Sequence, residues 1–165
     1  MTEPSKNQKR RAEIVAAAAA HLVAHGFANS GIRAIARTAG MSDRMIMYYF
    51  ETKDDLVAEA LELVAEQLAA GMDAAVPKGG LTPRQVLDAL AGMLKSEEVQ
   101  AVMRLWFEIV GLAMRGQEPY RRIAAELVDQ SEAQIAAKLR TDQKHRAGEV
   151  LASLEGGLMI ALLSN

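Results

Sequence analysis

The sequence predicts an all-α protein, with a three-helix N-terminal helix-turn-helix unit followed by a longer helical part. Three observations carry this expectation. Alanine and leucine dominate and aromatic residues make up only 4% of the chain, a bias that favours helix over strand. Apolar residues recur at three- and four-residue spacing in segment after segment, and no stretch alternates as a half-buried strand would. Ser, Thr, Gly and Pro punctuate these segments where helices start and stop.

Residues 1–8 are polar and read as a frayed start. From Lys9 to His25, Ile14, Ala18 and Leu22, flanked by Val15 and Ala19, make an apolar stripe that Gly26 ends. Ser30 reads as the cap of a short helix to about Thr38. Ala39-Gly40-Met41 is a tight turn, and Ser42 caps a second short helix ending near Phe50. Thr52, with Asp55 three residues on, opens a long helix to about Ala75, with Leu56, Leu63, Gln67 and Ala70 along one stripe. Val76-Pro77-Lys78-Gly79-Gly80 breaks the chain. Thr82-Pro83 starts a helix through Leu94, and the pattern restarts after Glu97-Glu98 and runs to Met114. Gly116 and Pro119 mark a connector before two final helices, about 119–140 and 144–163, broken near Thr141-Asp142.

Composition excludes several classes of function. Half the residues are apolar and 24% are charged, which is globular rather than disordered. The chain has no cysteine, so it has neither a disulfide framework nor a thiolate metal site. The basic start leads into an amphipathic segment rather than a signal-peptide core, and no apolar run approaches the ~18 residues of a spanning helix. A soluble, cytoplasmic protein with no membrane partner is expected. There is no Gly-rich phosphate loop, no cysteine nucleophile and no inward Glu-x-x-His motif, so neither an enzyme nor a cofactor is expected. His21 and His25 stand at the i,i+4 spacing of a two-histidine metal site, but no third ligand lies near in sequence. They read as surface or interface residues, and no metal is expected.

The net charge of −2 conceals a division. Residues 1–53 carry eight Lys/Arg against four Asp/Glu, and residues 54–165 carry eleven against seventeen. A basic end on an acidic body suits a protein that docks one part on phosphate and keeps the rest away. The division suggests two domains, 1–53 and 54–165.

Helix-turn-helix geometry needs a small residue where the helices cross, a turn residue that tolerates positive φ, and an apolar residue closing the core from the second helix. Ala36, Gly40 and Ile46 meet these needs at relative positions five, nine and fifteen, with Ile32, Ile35 and Met41 as further inward contacts. If Ile46 points inward, the opposite face at 100° per residue centres on Arg44 and Tyr48, with Met45 and Met47 on its flanks. Arg44 can pair bidentately with guanine, and the methionines suit thymine methyl groups. Arg33, Lys53, the backbone near Thr52, and the N-terminal Lys6, Lys9, Arg10 and Arg11 are candidates for phosphate. Ser42 is counted with the DNA-facing residues.

From Arg11 to Leu56 the chain resembles the tetracycline-repressor (TetR) family. The matching residues are Gly26-Phe27, Ile35-Ala36, Ala39-Gly40, Ser42, Tyr49-Phe50, Lys53 and Leu56. The resemblance implies a regulator that binds double-stranded operator DNA as a homodimer and is released by a small-molecule effector. One departure stands out: the family's tyrosine two residues before the Tyr-Phe pair, expected to bond a DNA phosphate, is Met47 here. Met47 cannot donate that bond, so Tyr48 takes it over or the contact is lost.

The resemblance also makes 54–165 a ligand-binding and dimerisation domain. A ligand would lie among the middle helices, lined by Met72, Met93, Met103 and Trp106, with Phe107, Glu108, Val110 and Met114 beyond. Glu108 reads as an ion-pair partner of Arg104 at i,i+4 or as a contact for a cationic ligand. Ile123, Leu127 and Ile135 on one terminal helix and Leu151, Leu154 and Leu158 on the other are the expected dimer interface. The chain stops at Asn165 straight after an apolar run, which is short for the family. The competing reading is a helix-turn-helix or architectural module that works without a ligand.

Overall fold

The structure, a computed structural model, describes residues 5–164. Its α-helices run in the order α1 (Lys6–His25), α2 (Ile32–Thr38), α3 (Asp43–Tyr49), α4 (Lys53–Ala75), α5 (Pro83–Met93), α6 (Glu97–Met114), α7 (Tyr120–Lys138) and α8 (Ala147–Leu163). A 3-10 turn, Thr141–Arg146, precedes α8. Among the described residues no strand forms, and no helix is long and apolar enough to cross a membrane. The chain divides into two compact units. The first comprises the chain up to Ala65 with Arg104–Ile123, and the second Glu66–Met103 with the chain from Ala124 on. These units do not divide at the expected boundary of 53. The first unit keeps the opening turns of α4 and recruits a distant piece of chain.

In the first unit, α1 begins earlier than its apolar pattern suggests because Ser5 and Gln8 form a capping box: Gln8 N–H donates to Ser5 Oγ at 3.2 Å and Ser5 N–H to Gln8 Oε1 at 2.8 Å. The expected buried stripe is present in Ile14, Val15, Ala18, Ala19 and Leu22. Gly26 ends the helix at φ 75°, where its N–H reaches Leu22 O at 2.8 Å. Ser30 does not cap α2. It is fully buried, and its hydroxyl donates back to Gly26 O at 2.6 Å, so Gly31 becomes the N-cap. Gly40 turns the chain at φ 63°, and Met41 N–H returns to Ala36 O at 2.9 Å. Ser42 caps α3 by accepting from Met45 N–H at 3.2 Å. Ile35, Ala36 and Ile46 close the core behind the turn. On α4 the buried stripe is Leu56, Val57, Ala60, Leu61 and Val64, while the expected Gln67 and Ala70 face solvent. The buried stripe ends at Val64, and Gln67 and Ala70 lie past Ala65, where the first unit's share of α4 stops.

His21 is buried against the end of α2, its Nδ1 2.7 Å from the Thr38 hydroxyl. Burial holds its pKa below the ordinary 6.5, with nearby His25 and Arg37 acting the same way against a raising contact to the Asn29 backbone. The unfolded chain therefore binds a proton more readily than the native one. The stability tied to neutral His21 is complete above 6.5 and declines as pH falls below it. From roughly pH 7 to roughly pH 5, the thermal midpoint of wild type should fall more steeply than that of His21→Gln, as read by circular dichroism melts.

The second unit closes on Val76, Val86, Leu90, Ile135, Leu139, Ala147 and Val150, with Met72, Leu81 and Met93 packed against them. Thr82 and Gln85 form another capping box, with Pro83 in the first turn of α5. The chain before it is laced to the end of α7: Gly79 N–H donates to Ala137 O at 2.8 Å and Leu81 N–H to Lys138 O at 3.1 Å. Lys138 is fully buried, and its ammonium donates to Asp73 at 2.5 Å and to Val76 O at 3.0 Å. A cation thus sits where α4 ends and a carbonyl would otherwise lack a partner.

Candidate nucleic-acid interface

Helix α3 has two unlike faces. Ile46 is fully buried, while Arg44 is exposed and Met45, Met47 and Tyr48 are 42%, 43% and 75% exposed. Tyr48 packs edge-on against Tyr49, with ring centroids 5.2 Å apart. Arg33 of α2 extends into solvent and meets Asp43 at 3.4 Å, so the first-turn carboxylate of α3 steadies a neighbouring guanidinium. The residues grouped by helix geometry, Arg33, Ser42, Arg44, Met45, Met47 and Tyr48, therefore lie together on α2 and α3, with Ser42 engaged as the cap.

The flanking basic residues divide. Lys9 and Arg10 are exposed on α1, and Arg10 pairs with Glu13 one turn on at 2.7 Å. Arg11 is not part of a free arm. It makes a two-pronged pair with Glu59 of α4 and lies over the Phe50 ring at 4.5 Å. Thr52 is also committed, since its N–H and hydroxyl both donate to Asp55 Oδ2, at 3.0 and 2.8 Å. Its amide is thus not open to phosphate, because the helix start needs it for its own cap. The Lys53 ammonium sits over the Phe27 ring at 4.4 Å, a cation–π contact that fixes the start of α4.

Glu108 finds its partners on the turn after α1 rather than at Arg104. One carboxylate oxygen accepts from Phe27 N–H at 2.9 Å and Ala28 N–H at 3.2 Å. Tyr120 closes the same corner, its ring edge-on to Phe27 at 5.0 Å and its hydroxyl donating to Asp54. Burial, reinforced by Asp54, pushes the Tyr120 hydroxyl pKa well up, so it stays a donor. Glu108, Asp54 and Tyr120 thus fix the turn between α1 and α2 and the start of α4, the two ends of the helix-turn-helix.

The other expected sites fare unevenly. Met72, Met93 and Met103 belong to the second unit, and Trp106, Phe107, Glu108, Val110 and Met114 to the first. Met114 is 82% exposed. Of the expected interface, Ile123, Ile135 and Leu158 are buried within the chain and present no face to a partner. Leu127, Leu151 and Leu154 are half-buried, and the exposed apolar side chains of α8 are Met159, Ile160 and Leu163. Among the described residues no three His, Cys, Asp or Glu gather as a metal site.

A helix locked on one side, bare on the other and flanked by cations has the form of the second helix of a helix-turn-helix. Residues 14–60 match the family described as bacterial regulatory proteins, tetR family. It is 28% identical over 121 residues to the HTH-type transcriptional regulator PksA of Bacillus subtilis (strain 168), a match covering 73% of this chain. The chain spans 59% of that relative's length. Among solved structures, the protein SCO7518 of Streptomyces coelicolor A3(2) superposes with a TM-score of 0.73 at 25% identity, covering 92% of this chain and 86% of the other. The multidrug binding protein EbrR, complexed with proflavin, gives 0.70 at 26% identity over 94% and 89%.

Proposed function

We propose that this protein is a homodimeric transcription regulator, a repressor that a small-molecule ligand releases from its operator in the cytoplasm. The observation that carries the proposal is the exposed face of α3, with Arg44, Met45, Met47 and Tyr48 displayed on a helix anchored by Ile46. Bare apolar side chains beside an exposed arginine suit the major groove, where base edges offer both hydrogen-bonding atoms and methyl groups. Kinship supports the ligand, since the similar EbrR has been solved with proflavin and with imidazole. A dimer formed through the terminal helices would use Met159, Ile160 and Leu163 with the half-buried Leu151 and Leu154, not the residues already committed to the core.

Selection of duplexes from a random pool by the intact protein, followed by affinity measurement, tests the proposal. One preferred sequence with two-fold related halves is expected. Arg44→Ala should weaken that duplex by roughly 1–3 kcal/mol and relax preference at one base pair of each half. A pool that returns unenriched would overturn the regulator reading.

A further inference from the structure

We infer that α3 reads the methyl groups of two thymines in each half-site, one through Met45 and one through Met47, on either side of the base pair met by Arg44. The inference rests on the DNA-binding reading above and adds which base chemistry the surface selects. In the first unit, the large apolar side chains exposed among the described residues are Met45, Met47, Tyr48 and Met114. Three of these four share the single short helix α3, whose own packing needs only Ile46 in full. At 100° per residue, Arg44 and Tyr48 form a ridge, and Met45 and Met47 lie about 80° to either side of it.

That placement matches side-chain chemistry to groove chemistry. The thioether has no donor and is a weak acceptor, so methionine cannot distinguish base edges by hydrogen bonding. What it can distinguish is the thymine C5-methyl, the one apolar group the major-groove edges present. Its three rotatable bonds allow it to follow that methyl without a fixed fit. Asp43, the acidic residue of this helix, is drawn to Arg33 at 3.4 Å and so is held away from competing for a cytosine amino group. The two shoulders therefore favour A·T pairs flanking the pair that Arg44 reads.

The test replaces each thymine of the selected duplex in turn with deoxyuridine, which removes the methyl and leaves base pairing intact. Two positions per half-site should each lose about fourfold in affinity, equivalent to one buried methyl-sized group at ~0.8 kcal/mol. Met45→Ala should abolish the sensitivity at one position and Met47→Ala at the other. Both variants should keep the wild-type melting temperature, which separates loss of reading from loss of fold. Deoxyuridine effects that persist in both variants, or none at any thymine, would overturn the inference while leaving the regulator reading intact. A pool that yields no preferred duplex would overturn both.

Discussion

Lys138→Ala is expected to lower the unfolding free energy by about 2–4 kcal/mol, whereas Lys138→Met, which keeps the stem but leaves the Val76 carbonyl without a partner, should cost less, about 1–2 kcal/mol. The difference separates what the stem of this lysine does from what its head does. The side chain is fully buried in the second unit, so truncation to alanine removes three packed methylenes with the ammonium and leaves a cavity. Methionine keeps most of that volume and forgoes the hydrogen bonds to Asp73 and Val76 O. Urea titrations of the three proteins would measure both values, and equal losses would show that the ammonium outweighs the stem. The pair also carries a pH signature. Hydrogen bonding to Lys138, and after it to Lys78, holds the Asp73 carboxyl below its ordinary 3.8. Its contribution is complete above that value and is lost as pH falls through the depressed native one, so Lys138→Met should flatten the acid limb of the stability curve.

Gly26→Ala is the second substitution with a large expected effect, at about 3 kcal/mol. Part of this is backbone strain, since Gly26 sits at φ 75°, where a Cβ costs about 1–2 kcal/mol. The rest is collision, because the added carbon would fall well inside contact distance of Glu108 Oε1. That oxygen ends a flexible side chain and can move aside, but doing so breaks its hold on Phe27 and Ala28. These hydrogen bonds are solvent-exposed and are worth about 1 kcal/mol each after screening. A double-mutant cycle isolates the two parts. In the Glu108→Ala background the glycine substitution should cost only its strain, about 1–2 kcal/mol. An undiminished cost there would mean that Glu108 does not brace the corner. Because the corner orients α2 and α3, Glu108→Ala should also weaken DNA binding without any contact to DNA.

Much of the architecture was legible because its signals are local. Gly26, Gly40, Ser42 and Thr82-Pro83 act within four residues of themselves, and each lies at the break or cap its chemistry suggests. Ser30 misled because a serine before a helix can cap forward or bond backward, and only burial decides between them. The exposed face of α3 was legible for the same local reason, since one anchored residue, Ile46, fixes which way α3 points. The braces were not. Arg11 finds Glu59 across 48 residues and Glu108 finds Phe27 across 81, and one sequence offers many carboxylates that would serve. The terminal helices were hard to read because Ile135 and Leu158 look alike whether they face a partner or their own core.

The most direct test of the central claim, that α3 and its cationic flank dock on duplex DNA, is affinity measured across a salt series. Each phosphate neutralised contributes about −0.9 to the slope of log affinity against log salt. With about six contacts per subunit, a dimer on its selected duplex should show a slope on the order of −10. It should also prefer that duplex at every salt concentration over a scrambled one of equal length. A flat slope, or equal affinity for both duplexes throughout the series, would contradict the account.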